Sequence, residues 1–509
     1  MTAVPDPHGA RRAQPDRRAP IADGPKDMRD RSGTDVVDGR IHVPWPLALY
    51  FVAVLLPVRF WAGPVMLTSV RVVLLVALLP LLANLLRGRY GRLILPDFLL
   101  FAHLAWMLIS LLKTTPELAV SQTGSLGAEF LGGYLMGRAF VRSHAHFLGT
   151  IRFLTTVILL LLPVAFYEMQ TDDSPLLRLF DKLPGVRSYG LVSHEKRMGF
   201  DRAQIVFEHP IHWGLFASSM FSLMWVGMSA RLSLVVRALL AAGVGIATFS
   251  SLSSGALMPV VLQTGLIAWA LVTKRVAARW LILSVLAVIA YVVIDLLSNR
   301  TPIQVFFTYA TFSPHTAYWR GIIFDWGISN IFGSAERGID PAPLFGIGFD
   351  EWVRPWFMYS GSMDNFWLVL GVRHGVPGFL TMAIPYAWMM VRVGRKDLVQ
   401  GSEVWYLRRA WMFTMLGLAL TLATVHIWTA IYSYTFFLLG AGAWFISYEQ
   451  KRAPAEEPQP SAEASAQGRR YSRFAGASFG TSPAMPRFAG AARKPRHSRP
   501  REMGASFRR

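Results

Sequence analysis

The 509-residue chain has no cysteine. That excludes disulfides, thiol catalysis and cysteine-ligated zinc, and leaves the compartment open. Charge is scarce as well: 16% of residues are charged, against roughly 25% in soluble domains. The start lacks the apolar stretch of a secretory leader, since the first 40 residues are polar and carry Arg11, Arg12, Arg17 and Arg18. No cleaved peptide is expected there, and the first apolar block acts as an uncleaved anchor. What the chain does have is apolar residues, 53% of it. They come in blocks long enough to cross roughly 30 Å of hydrocarbon, which takes about 20 helical residues. Length alone would suggest two or three soluble domains. The blocks override that expectation, because a backbone in hydrocarbon must satisfy its own hydrogen bonds.

The formal charge of +20 invites a nucleic-acid reading, and location argues against one. Residues 451–509 hold thirteen Lys/Arg and four Asp/Glu. Most of the remaining excess sits in short connections, where basic residues follow the positive-inside rule and meet anionic lipid headgroups.

The pattern predicts an all-α polytopic bundle of twelve spans, at 46–61, 67–86, 98–112, 124–140, 150–166, 205–228, 234–251, 256–272, 281–297, 365–391, 410–427 and 430–447. Alternate connections collect the positive charge: Arg87, Arg89 and Arg92; Arg138 and Arg142; Arg231 and Arg237; Lys274, Arg275 and Arg279; Arg392, Arg395, Lys396, Arg408 and Arg409. By that alternation both termini face the cytoplasm. Residues 1–44 form a polar leading segment and 45–449 the membrane domain. Residues 450–509 are a basic tail of Pro, Ala, Ser and Arg with a repeated Arg-Phe-Ala-Gly-Ala, expected to be disordered. Two outward connections exceed the length of simple turns. They run over 167–204 and 298–364, and the second is aromatic enough to fold as a cap of short helices.

The unusual residues gather in the outer half of the protein, in three places. Arg197, Arg202, Glu208, His209 and His212 lead into the sixth span. Ionisable groups at membrane depth are costly unless paired, although long side chains can also snorkel to the surface. The second place holds His315, Trp319 and Arg320, then Pro343 to Asp350 and Arg354. Gly346 and Gly348 lack the βαβ setting of a dinucleotide site and suit a tight turn. Arg320 is the better candidate: a guanidinium fork holds phosphate oxygens bidentately, unless it serves a structural ion pair. The third place is Asp364-Asn365 at the head of the tenth span, with Gly375, Pro377 and Gly378 placed to kink that span. A carboxylate at position 364 fits either a helix cap or a base.

These features, in this order and frame, resemble the O-antigen ligase and polysaccharide polymerase superfamily of bacterial envelopes. The resemblance covers most of the membrane region and is strongest over 316–378. Family ligases carry His followed by Asn, Ser or Gln, then nine residues and a Gly; here Asp364-Asn365, nine residues and Gly375 keep that spacing. Ser251 to Gly255 is similar to the family's Ser-rich turn. Asp364 stands where the ligases place a histidine, and Leu380 departs from the motif's last position, so the resemblance leans toward a polymerase. It implies a membrane glycosyltransferase of GT-C type in the bacterial inner membrane, with its active face periplasmic. The donor would be a polyprenyl-diphosphate-linked glycan and the acceptor another glycan or lipid-glycan. Arg320 and Arg202 would hold the diphosphate with Arg197 and Arg354 behind them, and Asp364 would serve as base with His209 and His315 in reserve. Trp319 and Asn365 would line the substrate, and no metal or cofactor is expected. The rival readings are a transporter or flippase of the same lipid-linked glycans, and a non-catalytic scaffold for envelope assembly.

Overall fold

In the computed structural model, which describes residues 41–449 apart from 64, 193–195 and 310–313, each of the twelve apolar segments carries a helix. The calls on 1–40 and on the basic tail fall outside the described residues. In chain order the elements are α1 (Trp45–Leu55), a hairpin of β1 (Arg59–Ala62) and β2 (Val65–Thr68), α2 (Ser69–Leu86), α3 (Leu95–Thr114), α4 (Pro116–Phe140) and α5 (His144–Thr171). There follow α6 (Pro175–Asp181), α7 (Pro210–Trp225), α8 (Leu234–Ser250), α9 (Ser254–Val272), α10 (Arg279–Leu297), α11 (Pro302–Tyr309) and α12 (Pro314–Phe332). The last are α13 (Phe366–Gly394), α14 (Glu403–Thr421), α15 (Thr429–Gly440) and α16 (Trp444–Ser447).

Seven helical stretches are long and apolar enough to cross a membrane: α2, α3, α5, α9, α10, α13 and Thr429–Ser447. Helix α10 makes the point most sharply. It has the highest mean hydropathy of the seven, 2.6, and none of it is buried in the protein. Nineteen such residues facing water would oppose folding; facing lipid they cost nothing.

Two expectations need correction. The first span does not run to residue 61: α1 ends at Leu55, because Pro57 denies Leu56 the helical region and holds it extended at φ −89°, ψ 108°. Trp61 instead lies in the hairpin, paired with Met66, so the fold is mostly helical but not wholly so. The connection expected over 167–204 starts later, since α5 continues to Thr171.

The centre of the bundle is α15 against α4. Gly133 and Gly137 sit one turn apart on α4, and a Cβ on either would strike the backbone carbonyl of Ser433 or Phe437. Small residues at that spacing let two membrane helices approach closely. The connections then gather by end. At the basic end Arg138 donates to the carbonyls of Tyr90 and Arg92 at 2.7 Å each, and Lys396 donates to Ile446 at 3.0 Å. At the opposite end Arg59 forms an antiparallel bridge with Arg187, and the amide of Phe366 donates to Leu422 at 2.8 Å.

Helix α13 is broken where the glycine and proline signals place a kink. Gly375 has φ 70° and ψ −177°, a left-handed position that suits glycine, and a Cβ there would strike the Leu344 carbonyl. Pro377 has no amide to offer the carbonyl of Arg373, one turn back. The Pro343–Gly348 turn supplies the missing bonds. Its Ile347 and Gly348 amides donate to Val372 and Arg373 at 2.9 and 3.0 Å, and the Val376 amide donates to Pro343 at 2.7 Å. Gly346 and Gly348 take the positive φ that this docking requires, 68° and 64°. The 298–364 connection is a folded cap as expected, although α12 at 19 residues is not short. It has a small core of its own, in which Ile323, Ile331, Trp352 and Met358 pack on Leu368 and Val372 of α13.

Candidate functional site

Helices α8 and α9 are joined by only three residues, Ser251 to Ser253, and that reversal builds the site. Leu252 is driven into the left-handed region at φ 45° with its side chain buried, a conformation that costs a non-glycine residue about 1–2 kcal/mol. The serines hold it: the Ser251 hydroxyl donates to Thr248 at 2.7 Å, and Ser253 caps α9 by accepting from Ala256 at 3.4 Å. The turn thereby presents three successive carbonyls outward. The amide of Ala203 donates to Ser250 at 3.0 Å, Arg202 Nε to Ser251 at 3.1 Å, and Arg197 Nη1 to Leu252 at 2.8 Å.

Arg320 reaches the same place from α12. A Cβ built on Gly255, in the first turn of α9, would lie 3.6 Å from Arg320 Nη2. The arginine is 6% exposed, yet its Nε and Nη1 meet no hydrogen-bond partner. Among the described residues, no carboxylate lies within ion-pair distance of Arg197, Arg202 or Arg320. Burial pushes the Arg320 guanidinium down to about 10; Asp364 pulls the other way and Arg197 adds to the push. Burial also takes Arg202 down to about 10, helped by Arg197. Both stay cationic at neutral pH. Three guanidinium groups at a helix N-terminus, short of counter-charge, form a place for an anion with several oxygens.

Asp364 is exposed and accepts from the Ser362 hydroxyl at 2.8 Å. It does not cap α13. That role falls to Asn365, whose Oδ1 accepts from the Leu368 amide at 3.0 Å. Asp364 is thus left as the carboxylate whose field reaches Arg320.

The other candidates are placed elsewhere. Arg354 is bound into its own loop, with Nε on the Met358 carbonyl at 3.1 Å and Nη1 on Glu351 at 3.3 Å. His315 is exposed on the first turn of α12 and its Nε2 accepts from Trp319 Nε1, one turn on, at 2.9 Å. His209 caps α7, its Nδ1 accepting from the Ile211 amide at 3.1 Å, and its ring stands 6.0 Å from that of Trp428.

Of a second set of polar groups the sequence reading singled out Glu208 but not Arg71 or Glu129. Arg71 Nε on α2 meets Glu129 on α4 at 2.7 Å, with the carboxylate fully buried. Thr429, itself at φ 47°, donates to Glu208 at 3.4 Å. The signal was available, because Arg71 and Glu129 lie inside apolar segments where an ionisable residue asks for an explanation. Among the described residues, no three His, Asp or Glu side chains gather as a metal-ligand set. In comparisons with known proteins, no family model and no curated sequence matches this chain.

Proposed function

We propose that this chain is a twelve-span glycosyltransferase of GT-C type in a bacterial inner membrane, both termini cytoplasmic, which joins glycan repeat units carried on polyprenyl diphosphate. The observation that carries the reading is the set of three arginines on the Ser251–Gly255 turn, none of which has a carboxylate within ion-pair distance among the described residues. A diphosphate supplies the missing negative charge, and its several oxygens match several guanidinium forks.

In this reading an acceptor hydroxyl attacks the anomeric carbon of the donor sugar. The bond from that carbon to the diphosphate oxygen breaks, and polyprenyl diphosphate leaves with the electron pair. Arg320 and Arg202 hold the developing charge, Arg197 supports it from the exposed side, and the Asp364 carboxylate takes the hydroxyl proton. The arginines act by being in place before the charge develops. Glycans for capsule, exopolysaccharide or O-antigen all fit this chemistry.

The broken helix α13 gives transport its best support, since transporters use discontinuous helices as binding sites. Here, however, the Pro343–Gly348 turn already occupies the groups freed by the break. Purified protein given lipid-linked repeat units, without ATP, should lengthen them. Movement of those lipids across a liposome membrane with no lengthening would replace this reading with the flippase.

A further inference from the structure

At the basic end of the bundle, on the far side of the helices from the arginine site, α5, the turn Gly227–Ala230 and α8 enclose an open cavity of about 380 Å³. Its lining is graded. Arg152, Thr155, Thr156 and Leu159 all border it from α5, and their spacing of three, four and seven puts them in one stripe on one helix face. The stripe therefore runs from a cation through two hydroxyls to an apolar side chain as it enters the membrane. Met224 and Leu240 continue the apolar part, and Arg231 also borders it.

Arg231 is paired with Glu403, whereas Arg152 and Thr155 are left to an occupant. Arg152 lies eight positions beyond the start of α5, about 12 Å along the axis, and no carboxylate of the described residues comes within ion-pair distance of it. Thr155 is 2% exposed, and its hydroxyl has no hydrogen-bond partner. Buried hydroxyls nearly always find one. Val235 and Leu239, on the same helix as the cavity wall, are 68% exposed each, so α8 borders lipid beside the opening.

We infer that this cavity binds one anionic phospholipid from the surrounding leaflet. Arg152 takes the headgroup phosphate, Thr155 donates to a phosphate or ester oxygen, and an acyl chain lies along Leu159, Met224 and Leu240. Charge complementarity selects an anionic headgroup, and the apolar depth selects a lipid over a free anion.

The test uses the full-length protein, delipidated in detergent, with thermal unfolding followed as lipid is added and native mass spectrometry counting what binds. A ligand that binds only the folded state raises the midpoint in proportion to the logarithm of its excess over Kd. Phosphatidylglycerol should raise the midpoint, whereas phosphatidylcholine with the same acyl chains and inorganic phosphate should not. Arg152→Leu should weaken phosphatidylglycerol affinity about tenfold or more, the loss of one hydrogen-bonded charge contact. Thr155→Val should also weaken it while leaving the lipid-free protein at least as stable, because it removes an unpartnered hydroxyl at constant shape. Equal shifts from both lipids, a shift from inorganic phosphate alone, or unchanged affinity in Thr155→Val would overturn the inference. So would a phosphatidylglycerol shift that emerges only when residues 2–40, which lead to Ile41 at the cavity mouth, are deleted; that segment would then be the occupant.

Discussion

Arg320 is where the diphosphate reading and a purely structural reading give opposite results. Its Nε and Nη1 are buried without partners, and each unsatisfied buried donor costs about 1–3 kcal/mol. An apolar side chain of similar length removes that cost, and replacing buried charge by packed apolar groups is often neutral or stabilising. Arg320→Met should therefore raise the stability of the substrate-free protein, by about 1–3 kcal/mol. Activity should move the other way. Removing one preorganised contact to a developing anion costs about 3–4 kcal/mol, or about a hundredfold to a thousandfold in rate.

Arg320→Ala and Arg320→Lys complete the set. Lysine keeps the charge and loses the planar fork, so a diphosphate held bidentately is held worse. Both variants should collapse polymer formation while protein still accumulates in the membrane. The assay is polymer length on a gel beside membrane-fraction protein and the thermal midpoint of the purified protein. A structural ion pair would leave Arg320→Lys near normal, and Arg320→Met would lose stability together with polymer. Either result refutes the assignment.

The remaining tests are simpler. Gly375→Ala forces a side chain into a left-handed position against the Leu344 carbonyl, and should lower the thermal midpoint and destabilise the protein by about 1–3 kcal/mol; an unchanged midpoint would mean the turn and helix do not dock as described. Asp364→Asn should abolish polymer with the midpoint unchanged, whereas Asn365→Ala should cost about 0.5–2 kcal/mol of stability through its lost cap and leave polymer tracking protein amount. If Asp364→Asn polymerises normally, Asp364 is not the base. Single cysteines at the exposed Asp340 and Arg395, in a chain that otherwise has none, should label from outside and inside respectively; labelling of position 340 only after the membrane is permeabilised would invert the topology.

How much of this was legible in the sequence follows from the range of each interaction. The helices were, because hydrocarbon forces blocks of apolar residues that need no partner to be recognised. The break in α13 was, because Gly375 and Pro377 act on their own backbone. Pro57 carried the same kind of local signal, but the apolar run through Trp61 outweighed it. Arg71 and Glu129 are 58 positions apart, and nothing local to either announces the other. The arginine site shows the same division. That Arg197, Arg202 and Arg320 suit phosphate is a property of residue type and is readable. That Arg320 has no carboxylate within ion-pair distance among the described residues, while Arg354 is taken up by Glu351 three positions earlier, depends on what the fold brings near. A guanidinium already satisfied within its loop has little left to offer a substrate. An anion site is defined as much by the carboxylates that fail to arrive as by the arginines that do, and only the folded chain decides which fail.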